Sequence, residues 1–172
     1  MHRYAKIEQA DLPLASRLSS SYGRADFADA FSVVLSETAS HDAESLARHI
    51  FDQQPGWIGV LLKFRDILVS PFGLKKTFDL RAKGGGRVSI FRVFERYPDE
   101  IVLGEDDTHL NFRVSVFVQP PSQRRPRQLI VTTLVFYNRL LGRAYIALIA
   151  PFHRMVVRGS LDRAQRNGWP TS

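Results

Sequence analysis

Cysteine is missing altogether from the 172 residues, which excludes disulfides, cysteine-bound zinc and thiol catalysis. Its absence suits a reducing compartment, so a cytoplasmic location is the expectation. Long apolar runs are missing too. The longest, Ala144 to Phe152, covers nine residues, whereas a helix crossing a bilayer needs about 20. No stable membrane insertion is therefore expected. Met1 to Glu8 holds no apolar stretch, and no secretory leader is expected. There is no Gly-x-Ser-x-Gly and no His-Glu-x-x-His word, and the five histidines are scattered. Neither a hydrolase nucleophile nor a zinc site is expected. Gly84-Gly85-Gly86 lacks the spacing of a pyrophosphate loop and does not sit between a strand and a helix. The expectation is no cofactor and no metal.

What is present in surplus is positive charge, 24 Lys and Arg against 17 Asp and Glu, for a formal +7. Such a balance attracts anionic partners in general, but a solvated basic surface accounts for it equally well. The densest basic stretch, Arg124, Arg125 and Arg127, lies among prolines and holds no aromatic side chain. Without a ring to stack on bases it predicts an exposed hairpin tip, not a nucleic-acid site. Aromatic residues are plentiful, with 12 Phe, 5 Tyr and 2 Trp.

Residues 1–24 show no sustained period and predict an irregular lead-in. A strand follows, because Phe27, Phe31, Val33 and Leu35 share one parity. Asp29 shares it too and breaks the apolar face. Ser40 or Asp42 caps a first helix lined by Leu46, Ile50 and Phe51, which Pro55-Gly56 ends. Trp57, Leu61, Phe64 and Leu68, spaced by four, three and four, form the stripe of a second helix. Residues 74–87 read as a connection. Strands are predicted at 87–97, 101–104, 110–118 and 129–137, joined by short turns. The chain then becomes helical from about Leu140 to Arg166, with Tyr145, Leu148, Ile149, Phe152, Val156 and Leu161 on one side and a kink or restart at Pro151. Segregated helices and short-turn strands predict an α+β domain, residues 25–166, with an antiparallel sheet curled around the C-terminal helix and a tail at 167–172.

Certain words in the chain are more specific. They are Ala25-Asp26-Phe27-Ala28-Asp29-Ala30-Phe31, Phe64-Arg65-Asp66-Ile67-Leu68, Phe72-Gly73-Leu74-Lys75, Glu105-Asp106-Asp107-Thr108-His109-Leu110-Asn111-Phe112-Arg113, Asn138-Arg139-Leu140-Leu141-Gly142-Arg143-Ala144-Tyr145 and Pro151-Phe152-His153-Arg154. Over residues 25–163 they resemble an uncharacterised bacterial family whose members stand alone or follow a Rossmann-type, epimerase-like dehydrogenase. That family is similar to the START and birch-pollen-allergen superfamily, with its helix-grip, polyketide-cyclase-like domains. In that superfamily a strand, two short helices, a meander and a long C-terminal helix enclose a cavity. The resemblance implies this fold and carries over no catalytic residue.

Three functions compete on this basis. The leading one is a module binding a hydrophobic or amphipathic small molecule between sheet and C-terminal helix. Asp29, Trp57, Phe64, Arg113, Arg143, Tyr145, Ile149 and His153 would line the cavity. For Asp29 the plainer reading is a buried ion pair with Arg113, Arg139, Arg143 or Arg154; for His153, a satisfied helix residue. The second is a cyclase- or hydratase-like enzyme using His153, His109 or a paired Asp as acid–base group. Asp106, Asp107 and His109 also suit an ordinary hairpin turn, and parity places His109, Asn111 and Arg113 on the outer sheet face or its rim. The third, implied by the fused relatives, is an accessory domain for a partner oxidoreductase. A homodimer is a further option.

Overall fold

The computed structural model describes residues 4–52, 86–89, 91–106, 110–138 and 140–171; within the last range, side chains are described at 147 and from 150 onward. The predicted second helix, with Trp57 and Phe64, and residues 107–109 lie outside the described residues. The elements are β1 (Glu8–Gln9), a 3-10 helix (Arg17–Arg24), β2 (Phe27–Val34), α1 (Ala43–Phe51), β3 (Arg87–Val88), β4 (Phe91–Arg96), β5 (Glu100–Asp106), β6 (Leu110–Gln119), β7 (Gln128–Tyr137) and α2 (Leu140–Arg166). The strands form one seven-stranded sheet in the order β1-β2-β7-β6-β5-β4-β3. Each neighbouring pair is antiparallel.

Alternation assigns the two faces. On the inner face Phe31, Val33, Ile101, Leu103, Val114, Val116, Leu129 and Val131 pack with Leu46, Ala47 and Ile50 of α1 and with Leu161 and Ala164 of α2. α1 starts where Asp42 accepts a bond from Ser45 N (2.8 Å), a capping arrangement that satisfies one orphan amide of the first turn. It meets α2 through His49 Nε2, 2.9 Å from the Ala164 carbonyl. Arg163 Nη2 donates to Ile50 O at 2.9 Å, putting a cation at the C-terminal end of α1.

The outer face is covered as well. Leu18, Tyr22 and Ala25 lie against Val102, Leu134, Phe94 and Phe136, while Ala10 and Leu12 lie against Ala30, Phe117 and Ile130. The stretch without a sequence period is thus the second layer over the sheet. It is tied down by Glu100, only 1% exposed, which accepts from Ser16 Oγ (2.6 Å), Arg17 N (2.8 Å) and Ser115 Oγ (2.5 Å). Such saturation is what a buried carboxylate requires. Register shifts between Val93 and Glu95, and the intervening Phe94 joins the outer cluster. Gly104 permits close pairing there: a Cβ would collide with the Phe112 carbonyl and lie 3.1 Å from the Arg113 side chain.

Phe152 and Arg127 depart from expectation. Of the kink or restart expected at Pro151, the restart does not occur, since α2 is helical through it; Phe152, expected in the core, is 42% exposed. The inward positions of α2 are His153, Val157, Leu161 and Ala164, spaced by four, four and three, and Phe152 lies about 100° round the helix from them. Arg124 and Arg125 are exposed as predicted, but Arg127 is not a tip residue. Its Nη2 donates to Ser36 O and Ala39 O at 2.7 Å each, and its Nη1 to Ser40 O at 3.4 Å. The guanidinium therefore holds the β2–α1 loop against β7.

Candidate functional site

Asp29 is the most unusual residue of the inner face. It sits opposite Thr133 in the β2–β7 register, its side chain 2% exposed. A carboxylate taken out of water needs cations or donors to offset the lost hydration. α2 supplies two neighbours from consecutive positions. His153 Nε2 stands 3.4 Å from Oδ1 and Arg154 Nε 3.8 Å from Oδ2. The contacts are long, and Oδ2 makes no hydrogen bond among the described residues. The His153 ring meets Phe27 edge-on, centroids 6.1 Å apart at 85°. The result is an imidazole held between an acid and a ring and still a quarter exposed (25%). It can bind a polar group or pass a proton.

Arg154 links this pair to a groove. Where the chain enters β1, Tyr4 to Ile7 run beside the outward side of α2, opposite Pro151, Arg154, Met155, Arg158 and Gly159. The space between is a groove largely open to solvent, with a volume of about 920 Å³. Its walls are apolar along Ile7, Pro151 and Met155, with Tyr4 and Met155 exposed at 55% and 49%. Its charges are Lys6, Arg154 and Arg158 against Asp162, which is already paired with Arg166 at 2.9 Å. Arg158 Nη2 lies 3.5 Å from the Ile7 carbonyl and bridges the two walls.

Of the residues expected to share a cavity, the structure brings Asp29 and His153 together. Arg113 lies on the opposite face of the sheet, as its parity indicated. Its Nη1 donates to Asp106 Oδ1 and to Phe112 O, both at 2.8 Å, and its guanidinium carbon stands 3.7 Å from the Phe94 ring centre. It does not pair with Asp29; Arg154 stands beside that acid, and the side chains of Arg139 and Arg143, also considered for the role, lie outside the described residues. Arg143, Tyr145 and Ile149 fall in the first half of α2, where side chains are not described, and Trp57 and Phe64 lie outside the described residues. No cluster of three acidic or histidine side chains that could hold a metal occurs among the described residues. No helix there is long and apolar enough to cross a membrane. Tyr4, Lys6 and Ile7 were missed because the groove wall they form is built by tertiary packing of a segment with no period.

A family model described as "Protein of unknown function (DUF2867)" matches residues 21–160. No curated protein and no solved structure matches the chain.

Proposed function

The chain belongs to the DUF2867 family, and from that premise we propose that it is a binding module for an amphipathic small molecule with an acidic head group. The observation carrying this reading is the groove of about 920 Å³ between residues 4–7 and α2, apolar along its walls and edged by Lys6, Arg154 and Arg158. An apolar tail would cover Met155 and Ile7, and the acidic head would meet the guanidiniums. Burial of a tail contributes about 25 cal/mol per Å², and the basic rim selects the sign of the head. The helix-grip relationship belongs to the same proposal. It is supported by the order of strand, helix, meander and long C-terminal helix around one sheet.

Native mass spectrometry of protein purified without detergent should reveal a bound anionic amphiphile. Decanoate, below its micellar concentration, should raise the thermal midpoint of the wild type and not of Met155→Asp. An empty protein that decanoate leaves unchanged would remove the proposal.

A second reading, an acid–base enzyme, rests on the His153–Asp29 pair alone. It would require substrate to reach the exposed quarter of the imidazole, and His153→Gln would then abolish turnover while leaving decanoate binding intact.

A further inference from the structure

We infer that the outer face of the sheet carries a second, independent site, an anion cleft suited to a phosphate monoester. The cleft lies between the 3-10 helix and strands β4 to β7, with a volume of about 470 Å³. Arg17, Arg24 and Arg113 line it, together with the hydroxyl residues Ser20 and Ser21 and one carboxylate residue, Glu95. Arg17 and Arg24 have no carboxylate partner among the described residues. The Arg17 guanidinium carbon rests 4.3 Å from the Tyr97 ring centre, and Arg24 Nη2 reaches only Ser21 Oγ, at 3.3 Å. Arg113 uses Nη1 for Asp106 and Phe112 O, and its stacking on Phe94 fixes the plane of the remaining donors. Arg92 leans over the same ring at 5.2 Å, so this part of the sheet carries four cations beside three carboxylates, Glu95, Asp106 and the buried Glu100. The remaining positive charge favours an anion, and a phosphate monoester carries roughly −1.5 to −2 near neutrality.

The buried Glu100 makes this arrangement more than a basic patch. Its carboxylate takes the Arg17 amide and, through Ser16 Oγ, the start of the 3-10 helix. Ser16 Oγ in turn accepts from Leu18 N at 3.1 Å. The backbone that carries Arg17, Ser20, Ser21 and Arg24 is thereby held before any ligand arrives. Guanidinium forks carried on such a backbone suit tetrahedral oxyanions because two N–H groups meet two oxygens at once.

The probe is phenyl phosphate, titrated by calorimetry into the wild type and into R17Q, R24Q and R124Q/R125Q at constant ionic strength. Saturable binding is expected, with phenyl sulfate, a monoanion, clearly weaker. R17Q and R24Q should each weaken binding about tenfold, the loss of one charge-assisted contact. R124Q/R125Q removes two charges from the distant hairpin tip and should change nothing. Thermal midpoints without ligand identify any variant that fails to fold. Among the described residues the Arg24 side chain bonds to Ser21 alone, so R24Q carries the test even if R17Q does not fold. Absence of saturable binding, or equal weakening by R124Q/R125Q, would overturn the proposal.

Discussion

At the scale of single residues, identical side chains take unlike roles within one short loop. Arg124 and Arg125 are exposed to solvent, whereas Arg127, just before β7, ties down the loop between β2 and α1 through carbonyls of Ser36, Ala39 and Ser40. A charged donor to a backbone carbonyl contributes about 1.5–3 kcal/mol for a well-formed bond. Arg127 is half-buried, so solvent screening trims that contribution. Arg127→Ala should cost about 2 kcal/mol, while Arg124→Ala and Arg125→Ala should stay within about 0.5 kcal/mol. Urea midpoints of the three variants distinguish the roles, and equal small losses would mean the carbonyls are served as well by water.

At the scale of elements, the 3-10 helix depends on few anchors. Leu18 and Tyr22, four residues apart, are its apolar contacts with the sheet, and the Tyr22 hydroxyl donates to Pro13 O at 2.9 Å. Burial, the largest influence, pushes the Tyr22 phenol above its ordinary value of 10.0. A folded-state value raised in this way gives a contribution fully present below the unfolded value and lost as pH rises through the folded one. Tyr22→Phe should therefore cost about 1 kcal/mol near neutrality, one neutral hydrogen bond. The gap from wild type should close in alkaline solution, because only the wild type has a phenol to ionise. A gap constant to the most alkaline pH that leaves the protein folded would contradict this.

How much of this was legible varies by element. β2 and β6 followed from period-two alternation and β7 from its β-branched residues, β1 went unseen in the lead-in, and of the two caps considered for α1, Ser40 and Asp42, the second is used. The inward direction of Asp29 was readable from parity with Phe31 and Val33. The 3-10 helix was invisible: Arg17 to Arg24 contains two anchors among polar residues, and its fixation comes from Glu100, 83 residues away from Arg17. A signal was nonetheless present in β7, where Leu129 to Phe136 is apolar or β-branched on both parities. A strand of that kind needs cover on both faces. Phe152 misled because its neighbour His153 occupies the inward position, a choice set by helix rotation and not by hydrophobicity.

At the scale of the whole molecule, residues 4–24 form a belt. They line the groove at Tyr4 to Ile7, enter the sheet edge at Glu8 and Gln9, and then cross the outer face to Leu18 and Tyr22. The edge contact is small, Glu8 beside Ser32 and Gln9 beside Phe31, extended by Ala10 N to Ala30 O at 2.9 Å. Beneath it lies β2, eight residues long, whose other edge is fully paired with β7. An exposed strand edge is a template on which another chain can hydrogen-bond. The belt covers that edge, so its removal should favour self-assembly, and in the proposed function it is also one wall of the groove. A variant lacking residues 1–12 should keep its strands by circular dichroism yet form concentration-dependent oligomers in size-exclusion chromatography. The full chain at the same concentration should show fewer of them. If the shortened protein elutes identically to the full chain at every concentration, the belt has no such duty. Should the belt guard that edge, any ligand that loosens Tyr4 to Ile7 would also bring the protein closer to polymerising, and occupancy of the groove would tune its colloidal behaviour.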